Sequence, residues 1–291
     1  MSQVWTVGRL IPWAAEYLGG HGVDSPRLCG ELLLSHVLGC TRLELYLRFE
    51  QPLSPEELAA FKAMILRRKS RELVDYILGS REFYGLEFLV GPGVLVPRPE
   101  TEHLVEEALA RLEGLEAPRV LDLCTGSGAV ALTLAHERPD AEVTGCDISP
   151  EALTWARRNA HNLGLQERVR WLMGDLWEPV AAGSGFFDVI TANPPYVTTA
   201  EMDGLPPEVG RFEPRLALEG GTDGLDIVRS IIAGAGAHLR PLGWLLVELG
   251  AGQAAQAARL AQAAGAFAEV SLVKDLAGIE RVLVCERKDY G

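Results

Sequence analysis

The chain is poor in cysteine, and what cysteine it has is scattered. Its 291 residues contain five, an odd number, with no Cys-x-x-Cys pair. They are Cys29, Cys40, Cys124, Cys146 and Cys285. This usage favours neither a disulfide framework nor a zinc cluster, and it fits a reducing cytoplasm. The six histidines show no metal-ligand spacing, so we expect no metal site.

Long apolar runs and an excess of basic residues are also lacking. No stretch reaches 18 apolar residues without charge, and the first 18 residues lack a basic region followed by an apolar core. We therefore expect neither export nor a membrane span. The 27 basic and 40 acidic residues give a net charge of −13. That balance disfavours a protein that binds nucleic acid mainly through its phosphates.

The remaining composition is that of a folded globular chain. Hydrophobic residues make up 48% and charged residues 23%, which argues against disorder, collagen-like repeats and coiled coils. The length suits one large or two modest domains. Residues 1–85 hold ten basic and ten acidic residues, so the whole negative excess lies in the rest of the chain. This shift in charge supports two domains.

The N-terminal part is predicted to be helical. Ser54 before Pro55, with Glu57 three residues after the serine, forms a capping box that opens a helix to about Arg71. Ser25 before Pro26 predicts a second helix start. We expect residues 1–80 to form a helical domain. Residues 81–97 should form a linking β-hairpin, broken at Gly91-Pro92-Gly93.

From Pro118 onward, six apolar runs of strand length alternate with helical stretches. This alternation predicts an α/β fold, with a parallel sheet covered by helices on both faces. We assign residues 98–291 to this second domain.

A glycine-containing loop follows the first of these strands. Gly126 and Gly128 permit a tight turn and a close approach of the backbone to a ligand, and free N–H groups at the start of the next helix can receive an anionic group. The loop alone also matches the Gly-x-Gly-x-x-Ala pattern of nicotinamide enzymes. Asp147, 19 residues beyond Gly128, and Asp175 each end a further strand. Together they favour a nucleoside cofactor above the carboxyl edge of the sheet.

A stiff segment leaves the fourth strand at Asn193-Pro194-Pro195-Tyr196. The two prolines fix their own φ angles and favour an extended backbone before them. The side-chain oxygen of Asn193 and the carbonyl of Pro194 would then be two fixed acceptors for a planar NH2 group, and Tyr196 offers a flat face. This arrangement predicts a site that orients an amide or amino nitrogen.

Taken in order, these motifs resemble those of class I S-adenosylmethionine-dependent methyltransferases that act on nitrogen. The chain is similar, over nearly its whole length, to the peptide chain release factor glutamine methyltransferase family. Further segments that carry the resemblance are Val96-Pro97-Arg98-Pro99-Glu100-Thr101-Glu102, Phe83-Tyr84-Gly85, Glu213-Pro214, the turn from Gly220 to Leu225, and Asp275-Leu276-Ala277-Gly278. Two positions depart from the family pattern: Cys124 stands where Gly is usual, and Asp75 where Gln is frequent.

The resemblance implies a Rossmann-like, seven-stranded, mostly parallel sheet, with S-adenosylmethionine as methyl donor and S-adenosylhomocysteine as product. The expected cofactor-binding residues are Cys124, Thr125, Gly126, Ser127, Gly128, Asp147, Ile148, Asp175, Leu176 and Asn193. Those expected to contact the substrate are Asn193, Pro194, Pro195 and Tyr196, with Asn193, Pro194 and Tyr196 as the catalytic set. The implied substrate is the glutamine of the Gly-Gly-Gln motif in class I release factors 1 and 2. On this reading, residues 1–80 would be the domain that docks the protein substrate.

Other functions remain open at this point. A nucleic-acid methyltransferase acting on adenine N6 or guanine N2 would use the same acceptor pair, although the acidic charge disfavours it. A nicotinamide oxidoreductase would need a proton donor beside a hydride site, and the sequence offers no obvious one. A non-enzymatic scaffold would leave the Asn-Pro-Pro-Tyr segment without a purpose.

Overall fold

The computed structural model describes residues 4–180 and 186–289. Residues 1–3, 181–185 and 290–291, which fall in the first and third predicted domains, lie outside the described residues. The described chain divides into two compact units. The helical unit contains residues 4–80 and Pro206–Phe212, and the α/β unit contains Arg81–Leu205 and residues 213–289.

The bounds of the elements follow the chain order. The helices are α1 (Val7–Gly19), α2 (Pro26–Leu38), α3 (Arg42–Leu47), α4 (Pro55–Lys69), α5 (Val74–Leu78), α6 (Glu102–Leu112), α7 (Ala129–Glu137), α8 (Pro150–Asn162), α9 (Pro207–Phe212), α10 (Asp226–His238) and α11 (Ala254–Ala263). The strands are β1 (Ser80–Phe83), β2 (Leu86–Leu89), β3 (Arg119–Leu123), β4 (Glu142–Asp147), β5 (Val169–Met173), β6 (Phe187–Ala192), β7 (Leu239–Glu248), β8 (Phe267–Lys274) and β9 (Glu280–Arg287). Among residues 4–180 and 186–289, no helix combines the length and apolar character needed to cross a bilayer.

The predicted capping box at the start of α4 is confirmed. Ser54 Oγ accepts a hydrogen bond from Glu57 N at 3.1 Å, and Glu57 Oε2 accepts one from Ser54 N at 2.7 Å. The helix ends at Lys69, two residues before the expected Arg71. The helix predicted after Ser25 is also present, but Ser25 has a left-handed backbone (φ 47°) and its side chain does not cap the helix. The start of α2 therefore depends on Pro26 and on packing.

The helical unit has its own apolar core, built from one face of each main helix. Leu10 of α1, Leu33 of α2 and Phe61 of α4 are all 2% exposed or less. Gly30 lets α1 and α2 approach closely, because a Cβ at this position would lie 2.9 Å from the Cβ of Ala14. Burial of these apolar side chains is the main source of stability for such a bundle.

A short helix that is distant in sequence completes the helical unit. Glu208 of α9 accepts hydrogen bonds from Arg68 Nη2 at 2.8 Å and from Arg71 Nε at 2.6 Å. Burial by itself would raise the pKa of this carboxyl group, but the hydrogen bonds from the two arginines outweigh burial and hold the pKa at about 2. The charged network therefore fastens residues 206–212 to α4.

We expect Glu208→Gln to destabilise the helical unit in a pH-dependent way. The folded-state pKa of Glu208 is below its ordinary value of 4.5. The contribution of Glu208 to the free energy of unfolding is therefore present above about pH 4.5 and is lost toward pH 2. At pH 6 the variant should lose about 2–3 kcal/mol, measured by urea unfolding of the full chain, and this deficit should shrink at about pH 3. Glu219→Gln, which removes the partly exposed partner of the exposed Arg215, is the control and should have little effect. An equal deficit at both pH values would contradict the assignment.

The linking hairpin exists, but its turn is not where the sequence suggested. Strands β1 and β2 pair in a two-stranded sheet, and the two residues between them, Tyr84 and Gly85, have φ values of 51° and 73°. Two successive positive φ angles are typical of a tight hairpin turn that matches the twist of its strands. The prediction of a break at Gly91-Pro92-Gly93 was therefore wrong, because that segment follows the hairpin.

The large sheet confirms the predicted fold class. Its strand order is β5-β4-β3-β6-β7-β9-β8. The pairs from β5 to β7 are parallel, and β9 runs antiparallel to both β7 and β8. Leu123 of β3 is in register with Cys146 of β4 and with Ala192 of β6. The residues that follow these three positions therefore meet at one edge of the sheet.

Helices cover both faces of this sheet. One apolar cluster joins alternate strand residues such as Leu121 and Ile190 to α10 and α11, and the other joins Val120 and Val189 to α6 and α7. Every residue of β6 is buried. This burial on both faces explains why the central strands read as continuous apolar runs in the sequence.

Candidate active site

The loop after β3 has the backbone that its glycines predict. Gly126 and Gly128 have φ values of 58° and 80°. Cys124 also has a positive φ, 55°, which costs a non-glycine residue about 1 kcal/mol or more. This conformation explains why glycine would be usual at position 124. Burial, together with nearby acidic groups, raises the pKa of the Cys124 thiol well above its ordinary value, so the thiol stays neutral.

Asp147, at the end of β4, organises this loop from the neighbouring strand. Its Oδ2 accepts a hydrogen bond from Gly126 N at 2.8 Å, and its Oδ1 accepts one from Ser149 N at 2.9 Å. Burial raises the pKa of this carboxyl group, and the backbone N–H groups oppose that shift. A carboxylate oxygen can accept two hydrogen bonds, so both oxygens can also accept from a ligand hydroxyl.

Asp122 lies beneath the loop, inside β3. Its Oδ2 accepts from Thr125 Oγ1 at 2.6 Å, and its Oδ1 accepts from Thr191 Oγ1 at 2.8 Å. The side chain is buried, and this desolvation raises its pKa to about 7, although both threonines act in the opposite direction. The carboxyl group thereby links the loop after β3 to strand β6.

Asn193 is the first residue after β6, and its side chain is held on one side. Its Nδ2 donates a hydrogen bond to Thr101 Oγ1 at 3.0 Å. In the described parts of the chain, neither Asn193 Oδ1 nor the carbonyl oxygen of Pro194 accepts a hydrogen bond. These two oxygens are the acceptor pair that the sequence predicts.

Tyr196 is held in place by residues that follow β7. Its carbonyl oxygen accepts from Gln253 Nε2 at 2.9 Å, and Gly250 leaves room for its ring, since a Cβ there would lie 3.0 Å from Tyr196 Cδ2. Desolvation raises the pKa of its hydroxyl group. The ring is therefore packed against the segment that follows β7.

A cavity of about 230 Å³ lies above the carboxyl edge of the sheet. It brings together most of the residues that the sequence assigned to the site. Those that line it are Cys124, Thr125, Gly126, Ser127, Asp147, Ile148, Asp175, Leu176, Asn193 and Pro195. Three other assigned residues, Gly128, Pro194 and Tyr196, are not among the described residues of its wall. A Cβ at Gly128 would lie 2.9 Å from the Trp171 ring, so this glycine serves the packing of α7.

The sequence analysis did not assign several residues that line the cavity. These residues are Gly93, Val94, Leu95, Pro97, Arg98, Thr101, Asp122, Pro214, Leu216 and Ala217. Two signals for them were present, since the segments around Arg98 and Glu213-Pro214 were noted without a role in the site. Glu213 links its own segment to the segment around Arg98. It pairs with Arg98, and its Oε1 accepts a hydrogen bond from Val96 N at 3.0 Å.

No group of three or more His, Cys, Asp and Glu side chains within residues 4–180 and 186–289 is arranged to hold a metal ion.

Comparison with known proteins gives the class and then the family. Residues 101–205 match the methyltransferase small domain, and residues 9–79 match the PrmC N-terminal domain. The α/β unit also resembles the structure of a T. thermophilus 16S rRNA N2 methyltransferase in complex with AdoMet and guanosine. That likeness has a TM-score of 0.52 and 23% identity, and it covers 72% of this chain and 50% of the other. It shows a methyltransferase fold.

Curated relatives define the family more narrowly. The release factor glutamine methyltransferase of Geobacter sulfurreducens is 46% identical over 97% of this chain and 96% of its own length. The protein of the same description from Rhodopirellula baltica is 42% identical over 97% of both chains. The chain belongs to the release factor glutamine methyltransferase family, which confirms the resemblance read from its motifs.

We expect Asp122→Asn to change the pH dependence of stability. In the folded protein this acid stays protonated up to about pH 7, whereas the ordinary pKa of an aspartate is 3.8. A raised folded-state pKa means that stability is lost as pH rises between these values. Relative to the variant, the wild type should therefore lose about 2–3 kcal/mol between about pH 5 and pH 7.

Urea unfolding at the two pH values measures this difference. Asp203→Asn, at an exposed position, is the matched control and should show no such change. A stability difference between wild type and Asp122→Asn that stays constant over this range would contradict the buried, protonated acid.

Proposed function

We propose that this chain transfers a methyl group from S-adenosylmethionine to the side-chain amide nitrogen of glutamine in the Gly-Gly-Gln motif of class I release factors 1 and 2, in the cytoplasm. One observation carries the proposal. The Nδ2 of Asn193 donates to Thr101, whereas Asn193 Oδ1 and the Pro194 carbonyl accept no hydrogen bond from the described residues, and Asn193 lines the cavity. An amide NH2 group has two hydrogens that suit such a pair. The family of the chain supplies the substrate class.

The cavity fits the methyl donor by the chemistry of its walls. Asp147 keeps lone pairs for ribose hydroxyls after its two backbone hydrogen bonds, and Asp175 can accept from an adenine amino group. We assign Cys124, Thr125, Gly126, Ser127, Ile148 and Leu176 to the surrounding contacts, and Gly128 to the shape of the loop. When bound, S-adenosylmethionine supplies an electrophilic methyl group on a positively charged sulfur.

The acceptor site has to position a weak nucleophile. The lone pair of an amide nitrogen is delocalised, so its orientation toward the methyl group matters more than it would for an amine. Hydrogen bonds from the NH2 group to Asn193 Oδ1 and the Pro194 carbonyl fix the plane of the amide and favour positive charge on its nitrogen. The prolines hold both acceptors in place, and Tyr196 supports the segment from behind. The nitrogen then loses one hydrogen as a proton.

Transfer of a labelled methyl group tests this function. The full-length chain is incubated with methyl-labelled S-adenosylmethionine and either intact release factor or nucleic acid, and the labelled atom is located. We expect label on the glutamine of the Gly-Gly-Gln motif. Label on adenine N6 or guanine N2, with none on release factor, would instead support a nucleic-acid methyltransferase.

We expect Asn193→Ala to abolish most turnover while the cofactor site stays intact. Loss of one preorganised group that stabilises developing charge should lower kcat by about 100-fold or more. The affinity for S-adenosylhomocysteine, measured by calorimetry, should change little. Asn162→Ala removes a similar side chain that donates to Glu87 O at 3.4 Å, and it is the matched control. Turnover of the folded Asn193 variant within about threefold of wild type would overturn the acceptor role.

The helical unit is proposed to dock the release factor. Leu43 and Leu47 share one face of α3 and are 74% and 81% exposed. Exposed apolar pairs of this kind are suited to a protein partner. Contacts remote from the glutamine raise the effective concentration of the loop at the site.

We expect the double variant Leu43→Ser/Leu47→Ser to raise KM for intact release factor by about tenfold, since surplus binding contacts are lost. KM for a short peptide that contains Gly-Gly-Gln should not change. Leu66→Ser, on α4 and 48% exposed, is the control for loss of a surface leucine. If KM rises equally for both substrates, the docking role is wrong.

A further inference from the structure

The turn between β8 and β9 has a fixed backbone, although none of its residues is buried. We call residues 275–279 the hairpin tip. Asp275 N donates a hydrogen bond to Ile279 O at 2.8 Å, and Gly278 N donates one to Asp275 O at 2.9 Å. The Asp275 side chain adds two more, because its Oδ1 accepts from Ala277 N and from Ile279 N, both at 2.9 Å. These hydrogen bonds order the tip without help from a core.

Leu276 is the side chain that the hairpin tip presents to solvent. It is 97% exposed, and Ile279 in the same tip is also exposed. A single exposed leucine is common on protein surfaces, but here the backbone that carries it is ordered before any partner arrives. Such an order lowers the entropy lost on binding. The tip therefore has the properties of a preformed contact surface.

The strand register places the hairpin tip beside the acceptor segment. Ala192 of β6 is in register with Val247 of β7. The next residue of β7, Glu248, is in register with Val282 of β9. Asn193, which follows Ala192, is therefore level with Val282, and β7 lies between them. Neighbouring strands are about 4.8 Å apart, so these two positions are about 10 Å apart across the sheet.

The hairpin tip extends past this level on the side of the cavity. Strand β9 is antiparallel to β7, so the residues before Val282 continue beyond the carboxyl end of β7. Ile279 precedes Val282 by three residues, and a strand rises about 3.3 Å per residue, so the tip begins about 10 Å above the level of Asn193. The tip thus projects from the sheet edge that carries the site.

Direct contacts also join the hairpin tip to the acceptor segment. Arg281 Nε donates to Asp275 Oδ2 at 3.1 Å, and the carbonyl oxygen of Arg281 accepts from Leu249 N at 2.8 Å. Leu249 precedes Gly250, where an added Cβ would lie 3.0 Å from Tyr196 Cδ2. The position of the tip is therefore fixed relative to the segment that holds the two acceptors.

Several exposed apolar side chains lie at this edge. Ile148 and Leu216 line the cavity and are exposed, as Leu276 is on the tip. Arg98 is the only basic residue among the described residues of the cavity wall, and it pairs with Glu213. A nucleic-acid backbone is bound by unpaired basic groups, whereas exposed aliphatic groups suit the apolar side chains of a polypeptide. The surface around the cavity fits a protein partner better than a nucleic acid.

We propose that the hairpin tip contacts the release factor next to its methylated glutamine, with Leu276 as the apolar anchor. The inference rests on the proposed function. A glutamine side chain that reaches Asn193 leaves its own backbone outside the cavity, at the edge from which the tip projects. The two offsets of about 10 Å combine to about 14 Å, which about four or five extended residues span. The chain that flanks the glutamine therefore comes within reach of Leu276.

The first test compares a protein substrate with a short peptide. Leu276→Ser should raise KM for intact release factor by about tenfold, because an apolar contact is lost on binding. The kcat value at saturation should stay within about twofold. KM for a peptide of about five residues, with the glutamine at its centre, should not change, since its ends are too short to reach the tip. Leu242→Ser, at another exposed position near the start of β7, is the matched control.

A double variant tests whether Asp275 acts through Leu276 as a positioning residue. Asp275→Ala removes the side-chain hydrogen bonds of the tip, so amide hydrogen exchange at Ala277 and Ile279 should become faster. KM for intact release factor should rise about fivefold, since a disordered tip loses more entropy on binding. Adding Leu276→Ser should bring KM to the value of Leu276→Ser alone. Rises in KM that multiply in the double variant would show that Asp275 acts independently and contradict its positioning role.

Photochemical cross-linking identifies the partner of the hairpin tip directly. The full-length chain carries a photoreactive benzophenone side chain at position 276 and is mixed with S-adenosylhomocysteine and intact release factor. We expect cross-links to the release factor within about ten residues of the glutamine. The same group at position 242 should give none. Cross-links only to a second copy of this chain, or only to added RNA, would overturn the proposal.

The outcomes separate this inference from the proposed function. If the wild type methylates release factor while Leu276→Ser leaves KM unchanged and position 276 gives no cross-link, the role of the hairpin tip is refuted and the proposed function stands. If the wild type transfers no methyl group to release factor, the proposed function is refuted, and this inference with it.

Discussion

The hydrogen bonds to one buried acid, Asp122, hold the two halves of the site together. Thr125 belongs to the loop that we assign to the cofactor, and Thr191 lies two residues before Asn193 at the acceptor. Both hydroxyl groups donate to the same carboxyl group, at 2.6 Å and 2.8 Å. Under the proposed function, Asp122 therefore links the loop at the methyl donor to the strand that leads to the acceptor. Replacement of that acid would loosen both halves at once.

Other buried acids around the cavity accept hydrogen bonds in the same way. Glu213 pairs with Arg98 and accepts a hydrogen bond from Val96 N, and Asp147 accepts one from Gly126 N in the loop after β3. Each acid is buried or nearly so, and its position is fixed by donors before any ligand arrives. A site built in this way needs little reorganisation during the reaction, which is how fixed dipoles stabilise a transition state.

The sequence was most informative where local chemistry decides structure. The Ser54 capping box, the strand before the glycine loop, the helix after it and the ends of β3, β4 and β6 follow from residue type and periodicity. The hairpin turn was misplaced because Gly91-Pro92-Gly93 is the stronger turn signal by composition, whereas the φ values of Tyr84 and Gly85 become necessary only once β1 and β2 pair. Strand β8 was missed because most of its residues are only partly buried or exposed, so it lacks the apolar run of a central strand.

Most of the site residues that sequence reasoning missed depend on tertiary contacts. Thr101 and Asn193 are 92 positions apart, and nothing local to either predicts that they meet. The pairing of Glu213 with Arg98, and the contacts of Glu208 that attach residues 206–212 to α4, likewise join residues that are distant in sequence. Hydrogen bonds between distant side chains require the strand order of the sheet or the packing of helices to be known first, and neither can be read from spacing.

Under the proposed function, the balance of charge explains why the acceptors are neutral. Methyl transfer from a sulfonium to an amide moves one positive charge from sulfur to nitrogen and creates none. Asp147 and Asp175 both act on the thiol of Cys124 in the loop, so the donor side already has acidic groups that favour a cation. The acceptor side needs only dipoles that favour the same charge after it moves. The oxygens of Asn193 and Pro194 supply these dipoles. They bind a cation less strongly than a second carboxylate would, so the positive charge that reaches the nitrogen can leave with the proton.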